Sequence, residues 1–389
     1  LSLSVCLSVS VCLSVSVCLS VSLSVSVSLC LFVCVGSFFS TVGAVALAIL
    51  IIGAGMYWYL STHLDPFVAD PIEYGDEMQF TVSSGSFEIV GEEMVREFDR
   101  AAGGALADVC DEFRVGFTGS GSVSVTRGGG GEVFSPADSN LAGVVQAQDA
   151  FGLTFLTVEQ QLTHDLSATI ESRTWLGDSS DGICSVPVGP IEGYAMSQAT
   201  TSWTELTSKA LLRTDTTVFL TNQDDETTFG AVSFGAPDDA FSNLIPELML
   251  PLKPVELTTV FGSSLLEKDQ TGTSKGWRWV IADTVISGGE LGLRVNMQHI
   301  EIEDCIGRAH MVLEIVPSSP WPVKQQVDIQ LEKSRYDSPN CGGLTEYVVD
   351  RAVPEGKISL TYTMTRIGST LGTGIIDWTA GYAQRPSAS

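Results

Sequence analysis

From about Glu73 onward, apolar and polar residues alternate in short runs, the period of a strand with one buried face. The clearest run, "ISLTYTMT", puts Ile358, Leu360, Tyr362 and Met364 on one face and Ser359, Thr361, Thr363 and Thr365 on the other. "VDIQLE" repeats this with Val327, Ile329 and Leu331, and "GWRWVIA" with Trp277, Trp279 and Ile281. "TVFLTNQDDETTFGAVSF" reads as a hairpin with an acidic tip. Helical spacing is scarce. "GEEMVREFDRAAGG" predicts one helix, with Glu92 and Glu93 in its first turn, Met94, Val95, Phe98, Ala101 and Ala102 on one side, and Gly103 to end it. "DDAFSNLIPELML" is a weaker second, with Pro246 in its first turn. The expected fold class is mainly β, α+β with few helices, built from antiparallel sheets in a soluble body.

Two stretches break the pattern. "TGSGSVSVTRGGGGEVFSPADSN" is a Gly- and Ser-rich excursion, and "FGAPDDAFSNLIPELMLPLKPVE" carries Pro237, Pro246, Pro251 and Pro254. The second divides the body into two β-rich segments, 73–238 and 255–389, each large enough to bury a core. One continuous sheet through both is the alternative.

Ahead of the body the periodicity disappears. Residues 42–60, "VGAVALAILIIGAGMYWYL", are uncharged and as long as a helix needs to be to cross the hydrocarbon of a bilayer. Tyr57, Trp58 and Tyr59 stand at the end of the run, where amphipathic rings favour the headgroup level. The run reads as one uncleaved transmembrane helix, a signal anchor. Residues 1–36 cycle through Leu, Ser, Val and Cys, the product of a CTGT repeat in any frame, and read as translated repeat DNA or a disordered segment.

Charge sharpens this division. The net charge of −26 falls entirely from Asp65 onward, and no Lys/Arg stripe interrupts the acidic body, which excludes nucleic acid as a natural partner. Five of the nine cysteines precede residue 36, and the body holds Cys110, Cys184, Cys305 and Cys341. None forms a CxxC pair, so two disulfides in an oxidising compartment are expected, Cys110 with Cys184 and Cys305 with Cys341. The body is thus placed on the extracytoplasmic side of a membrane.

Candidate chemistry is sparse. In "QHIEIEDCIGRAH" a strand would point His299, Glu301 and Glu303 one way, and a turn would return His310 beside them as a divalent-metal set; the same residues also make an ordinary solvent face. "THD" sets His164 beside Asp165, but neighbours on a strand face opposite ways and make a poor relay. Trp277, Trp279, Trp321 and Trp378 line a pocket or pack a core. No GxSxG, HExxH, Walker or GxGxxG pattern occurs. The chain therefore reads as a single-pass membrane protein of the cell surface or envelope, with a non-catalytic binding or structural role. Its expected partners are the bilayer, through residues 42–60, and a protein or surface ligand; no cofactor is expected. Two alternatives are a carrier of lipid in a curved sheet, and a metal-dependent hydrolase built on His299, Glu301 and His310.

Overall fold

The computed structural model describes residues 64–101, 106–127, 132–134, 153–155, 157–177, 182–185, 188–206, 211–222, 227–233, 252–274, 276–304, 307–332 and 355–378. The repeat, the run at 42–60, the second expected helix, Cys305 and Cys341 lie outside them. These residues belong to one compact unit, Leu64–Ser389.

Its strands in chain order are β1 (Phe67–Val68), β2 (Glu77–Val90), β3 (Val109–Arg127), β4 (Glu132–Phe134), β5 (Leu153–Phe155), β6 (Thr157–Leu176), β7 (Ile183–Cys184), β8 (Val188–Glu205), β9 (Leu211–Thr221), β10 (Thr227–Ser233), β11 (Leu265–Leu266), β12 (Thr271–Ser274), β13 (Trp277–Ser287), β14 (Glu290–His299), β15 (Gly307–Ile315), β16 (Lys324–Glu332) and β17 (Lys357–Thr370). Three helices join them: α1 (Glu92–Ala101), α2 (Leu257–Phe261) and α3 (Ile300–Asp304). Nearly all the strands enter one antiparallel sheet in the order β10-β9-β8-β6-β3-β2-β17-β16-β15-β14-β13-β12, with β7 attached to β6. The segments on either side of the Pro-rich stretch thus share a sheet, joined where β2 pairs with β17 from Glu77↔Thr370 to Val90↔Lys357.

The alternation read from the sequence is what makes this sheet two-faced. Leu360, Tyr362, Met364, Val327, Ile329, Leu331, Trp277, Trp279 and Ile281 are all buried on one face. The opposite positions of β2, β16 and β17 carry Thr81, Ser83, Gln326 and Thr363. The hairpin between β13 and β14 turns on Gly288 and Gly289, whose positive φ values of 60° and 86° suit a two-residue loop. Gly272 faces Trp279 across β12 and β13, and a Cβ there would stand 2.2 Å from the indole, so the ring lies over a bare backbone. The expected helix is α1, whose Met94 and Val95 pack with Ile89, Val109 and Phe113.

One expectation is corrected. The strand drawn through residues 299–303 stops at His299, and Ile300–Asp304 form α3. The Ile300/Ile302 spacing imitates a strand, but His299 Nδ1 accepts the Ile302 N–H at 3.4 Å in the manner of an N-cap, and the chain turns into a helix there.

The sheet curls around its own chain. Glu256 accepts a hydrogen bond from Gln160 of β6 at 3.5 Å, while Phe261, in the helix that follows, packs edge-on against Trp279 of β13 at 5.2 Å. β6 and β13 are seven steps apart in the sheet, about 34 Å if it were flat. The five residue steps from Glu256 to Phe261 rise only about 8 Å. The apolar face is therefore strongly concave, and segment 252–261 fills it with Leu252, Val255, Leu257, Val260 and Phe261. Gln325 of β16 fixes the segment: its Oε1 accepts the Val255 N–H at 2.9 Å, and its Nε2 donates to Lys253 O at 3.1 Å and Tyr362 Oη at 3.0 Å. Burial pushes the Tyr362 phenol well above its ordinary value, so it stays protonated.

Two staples hold the ends. At one end the buried Asp76 carboxylate accepts the N–H groups of Glu73 at 2.6 Å and Gly372 at 2.7 Å, tying the start of β2 to the chain leaving β17. At the other end a disulfide joins Cys110 of β3 to Cys184 of β7, closing 74 residues. Asp76→Ala strands two inward amide donors and is expected to cost roughly 2–4 kcal/mol in denaturant unfolding. Replacing Cys110 and Cys184 together by Ser is expected to cost at most about 4.5 kcal/mol from loop entropy, read the same way.

Candidate functional site

The inner face changes character along the sheet. Between β13 and β17 it is apolar apart from Gln325 and His299, but on β6, β8 and β9 the inward row includes Gln160, His164, Gln198, Thr200 and Thr216. The alternation of β6 explains the placement: Val158, Gln160, Leu162, His164 and Leu166 all face inward, and Asp165 faces solvent. His164 is only 4% exposed and Gln198, directly opposite it on β8, 2%. Their Cβ atoms are therefore roughly 5 Å apart.

These groups are buried without full hydrogen bonding. Gln198 Nε2 reaches Thr200 Oγ1 at 3.5 Å, and Thr200 Oγ1 lies 3.2 Å from Thr216 Oγ1. Gln198 Oε1, Gln160 Oε1 and both ring nitrogens of His164 have no partner. Phe80 meets the imidazole edge-on at 5.4 Å. Burial pulls the His164 pKa down from its ordinary 6.5 to about 4, the nearby Leu252 backbone opposing the shift in part without making a well-formed hydrogen bond. The ring is thus neutral at pH 7, with one nitrogen donating and one accepting. Together with the two amide oxygens, the patch offers three acceptors and one donor to whatever completes it.

Other features lie outside this patch. On the outer face Glu171, Arg114, Glu88 and Ser359 stand in register across four strands. The hydrogen bond from Arg114 holds the Glu88 carboxyl below its ordinary value, and Lys357 at 3.1 Å and Ser359 at 3.2 Å add to the row. A second, open concavity of about 550 Å³ lies over β12–β15, lined on its outer side by Arg278, Asn296, Gln298 and His310. Trp277, Trp279 and Trp321 are core residues, and Trp378 packs against the same core.

The histidines of the alternative metal set do not converge. Gln298 pairs with His310, so His299, one residue on, faces the opposite side of the sheet. His299 is buried beside Trp277, whereas His310 is exposed and lies 3.1 Å from Glu303. The side chain of Glu301 lies outside the described residues. Among the described residues the one group with metal-like grouping is Cys110, Asp111 and Cys184, and its sulfurs are spent in the disulfide.

Gln160, Gln198, Thr200 and Thr216 were not candidates on sequence grounds. The available signal was the pair of polar residues at inward positions of "VEQQLTHDL". No protein-family model, curated protein or solved structure matches the chain.

Because the unfolded chain takes up this proton near pH 6.5 and the folded chain only near pH 4, stability present above pH 6.5 is lost as pH falls through that window. The expected loss is roughly 3 kcal/mol. Urea unfolding of the native protein and of His164→Leu between pH 7 and 4 checks this, and the variant is expected to lack that part of the slope.

Proposed function

We propose that the chain is a membrane-anchored, extracytoplasmic protein of the cell surface or envelope, and that its β-rich body has a non-catalytic binding role centred on the His164–Gln198 patch. The observation that carries the binding role is the set of buried acceptors without donors: Gln160 Oε1, Gln198 Oε1 and a nitrogen of His164. Each such group costs about 1–3 kcal/mol when left unmade. A fold retains that cost most readily where a bound molecule removes it.

The chemistry favours holding a ligand over activating one. With its pKa drawn down to about 4, His164 is a weak base at neutral pH, whereas a general base works best near the operating pH. A donor-rich, uncharged ligand suits the patch. An apolar cargo suits the interior less, because segment 252–261 already occupies the apolar half of the concave face. The anchor is supported by the apolar run at 42–60, and the exported location by the Cys110–Cys184 bond. Among the described residues no helix is long and apolar enough to cross a membrane.

Stability at pH 7 tests the binding role without knowledge of the ligand. Gln198→Leu and His164→Leu remove Gln198 Oε1 and the two His164 ring nitrogens, which the free protein leaves unpaired, at the loss of only the long 3.5 Å bond from Gln198 Nε2 to Thr200, so each is expected to raise the unfolding free energy of the ligand-free full chain by about 1–2 kcal/mol. A loss of about 1 kcal/mol or more in both would mean that these groups already have partners, and would remove the basis for the site.

A further inference from the structure

We propose that the open concavity over β12–β15 is a second binding site, which takes a sugar acid and holds its carboxylate on Arg278. It lies on the outer face of the sheet, whereas His164 lies on the inner one, so the inference stands apart from the binding role given to that patch.

Period two builds the site. Trp277, Trp279 and Ile281 turn into the core, so Arg278 between them turns outward. Thr273, Arg278, Gln298 and His310 then stand in one row across four strands. From Arg278 to His310 the row covers two strand spacings, about 10 Å, and Asn296 lies two residues from Gln298 on the same face, about 7 Å along β14. The concavity above these side chains measures about 550 Å³, within the range of small-molecule sites.

What marks the row is an unpaired charge. Among the described residues Arg278 has no ion pair and no ring beneath it, and the side chains of Thr273, Asn296 and Gln298 make no hydrogen bond. Every other arginine whose side chain is described meets a carboxylate, or in the case of Arg127 the ring of Tyr74. In a chain with 46 acidic and 20 basic residues, an arginine without an acid is the exception. The two carboxylates at the far end of the row are already held, Glu303 by His310 at 3.1 Å and Asp328 by Arg308 at 3.0 Å. Singly, such side chains are solvated as on any surface; here they converge on one concavity.

Their chemistry selects the ligand. A guanidinium presents a fork of donors that matches a carboxylate. Phosphate or sulfate would also meet that fork, but both bring acceptors alone, and Asn296 and Gln298 offer an amide oxygen as well as an amide NH2. A ligand that answers the whole row carries an anion and, beside it, groups that both donate and accept. The ring hydroxyls of a sugar acid do this. The net charge of −26 disfavours anions over the rest of the surface, which leaves the attraction to Arg278.

Saturation-transfer NMR titration of the full chain with methyl glucuronide and methyl galacturonide, each beside its uncharged parent glycoside, tests this. At least one uronide is expected to saturate with a millimolar Kd, at least about fivefold tighter than its parent glycoside. Arg278→Gln is expected to erase that preference, and Arg96→Gln, which changes net charge equally on the remote α1, to keep it. Equal binding of uronide and glycoside would overturn the site, as would no saturation by either uronide below about 50 mM. A preference that survives Arg278→Gln, or that Arg96→Gln also erases, would overturn it too.

Discussion

The pairing of β2 with β17 is the constraint on which the rest of this fold depends. It unites the first long strand with the last, and turns two successive meanders, β2 to β10 and β12 to β17, into a single sheet. Only because that seam exists do residues far apart in sequence share one concave face. Only then can the 252–261 segment touch Gln160 on one side and Trp279 on the other. Such non-local closure is slow to form, because loop entropy must be overcome before any contact across the seam rewards it. The Asp76 carboxylate sits at one end of the seam and hydrogen-bonds to backbone on both sides of it, which secures the register where fraying would begin.

The two halves of the inner face solve burial differently. From β13 to β17, Trp, Met, Leu, Ile and Tyr fill the concavity and the chain supplies its own plug. From β6 to β9, polar side chains occupy equivalent positions, and several of their atoms are unsatisfied. A core under selection for stability alone would replace Gln198 and His164 by apolar residues of similar volume, since a half-satisfied polar network is worse than none. The apolar half also leaves the indole N–H groups of Trp279 and Trp321 unpaired, but only in the polar half do such atoms stand on neighbouring strands, at His164 and Gln198, and such places are where function is expected.

Much of this was legible in the sequence. The alternation in "ISLTYTMT", "VDIQLE" and "GWRWVIA" predicted which side chains are buried in β17, β16 and β13, and the helix at residues 92–101 was readable from its spacing and its acidic first turn. Residues 299–303 misled because Ile300 and Ile302 fit a strand, and the deciding contact, His299 to Ile302, depends on local backbone geometry that period alone does not carry. The site was half legible. The inward direction of His164 follows from its neighbours, but the identity of the residue opposite follows from the register of β6 against β8, which turn lengths and bulges determine.

The placement of the covalent staple follows the same division. The apolar half draws its cohesion from burial, at about 25 cal/mol for each Å² removed from water, and needs no cross-link among its described residues. The polar half gains less from burial, and there the chain is reinforced by other means. Cys110–Cys184 clasps β7 onto the far end of β3 and β6; Arg173 pairs with Asp111 at 2.8 Å and donates to Ser185 O at 3.0 Å beside it. The disulfide constrains the unfolded chain whatever the side chains inside the sheet are doing, so it stabilises this half without requiring its inner face to become apolar. A binding surface built of unpaired polar groups can persist in a stable protein on that condition: the stabilising interactions must come from somewhere other than the site.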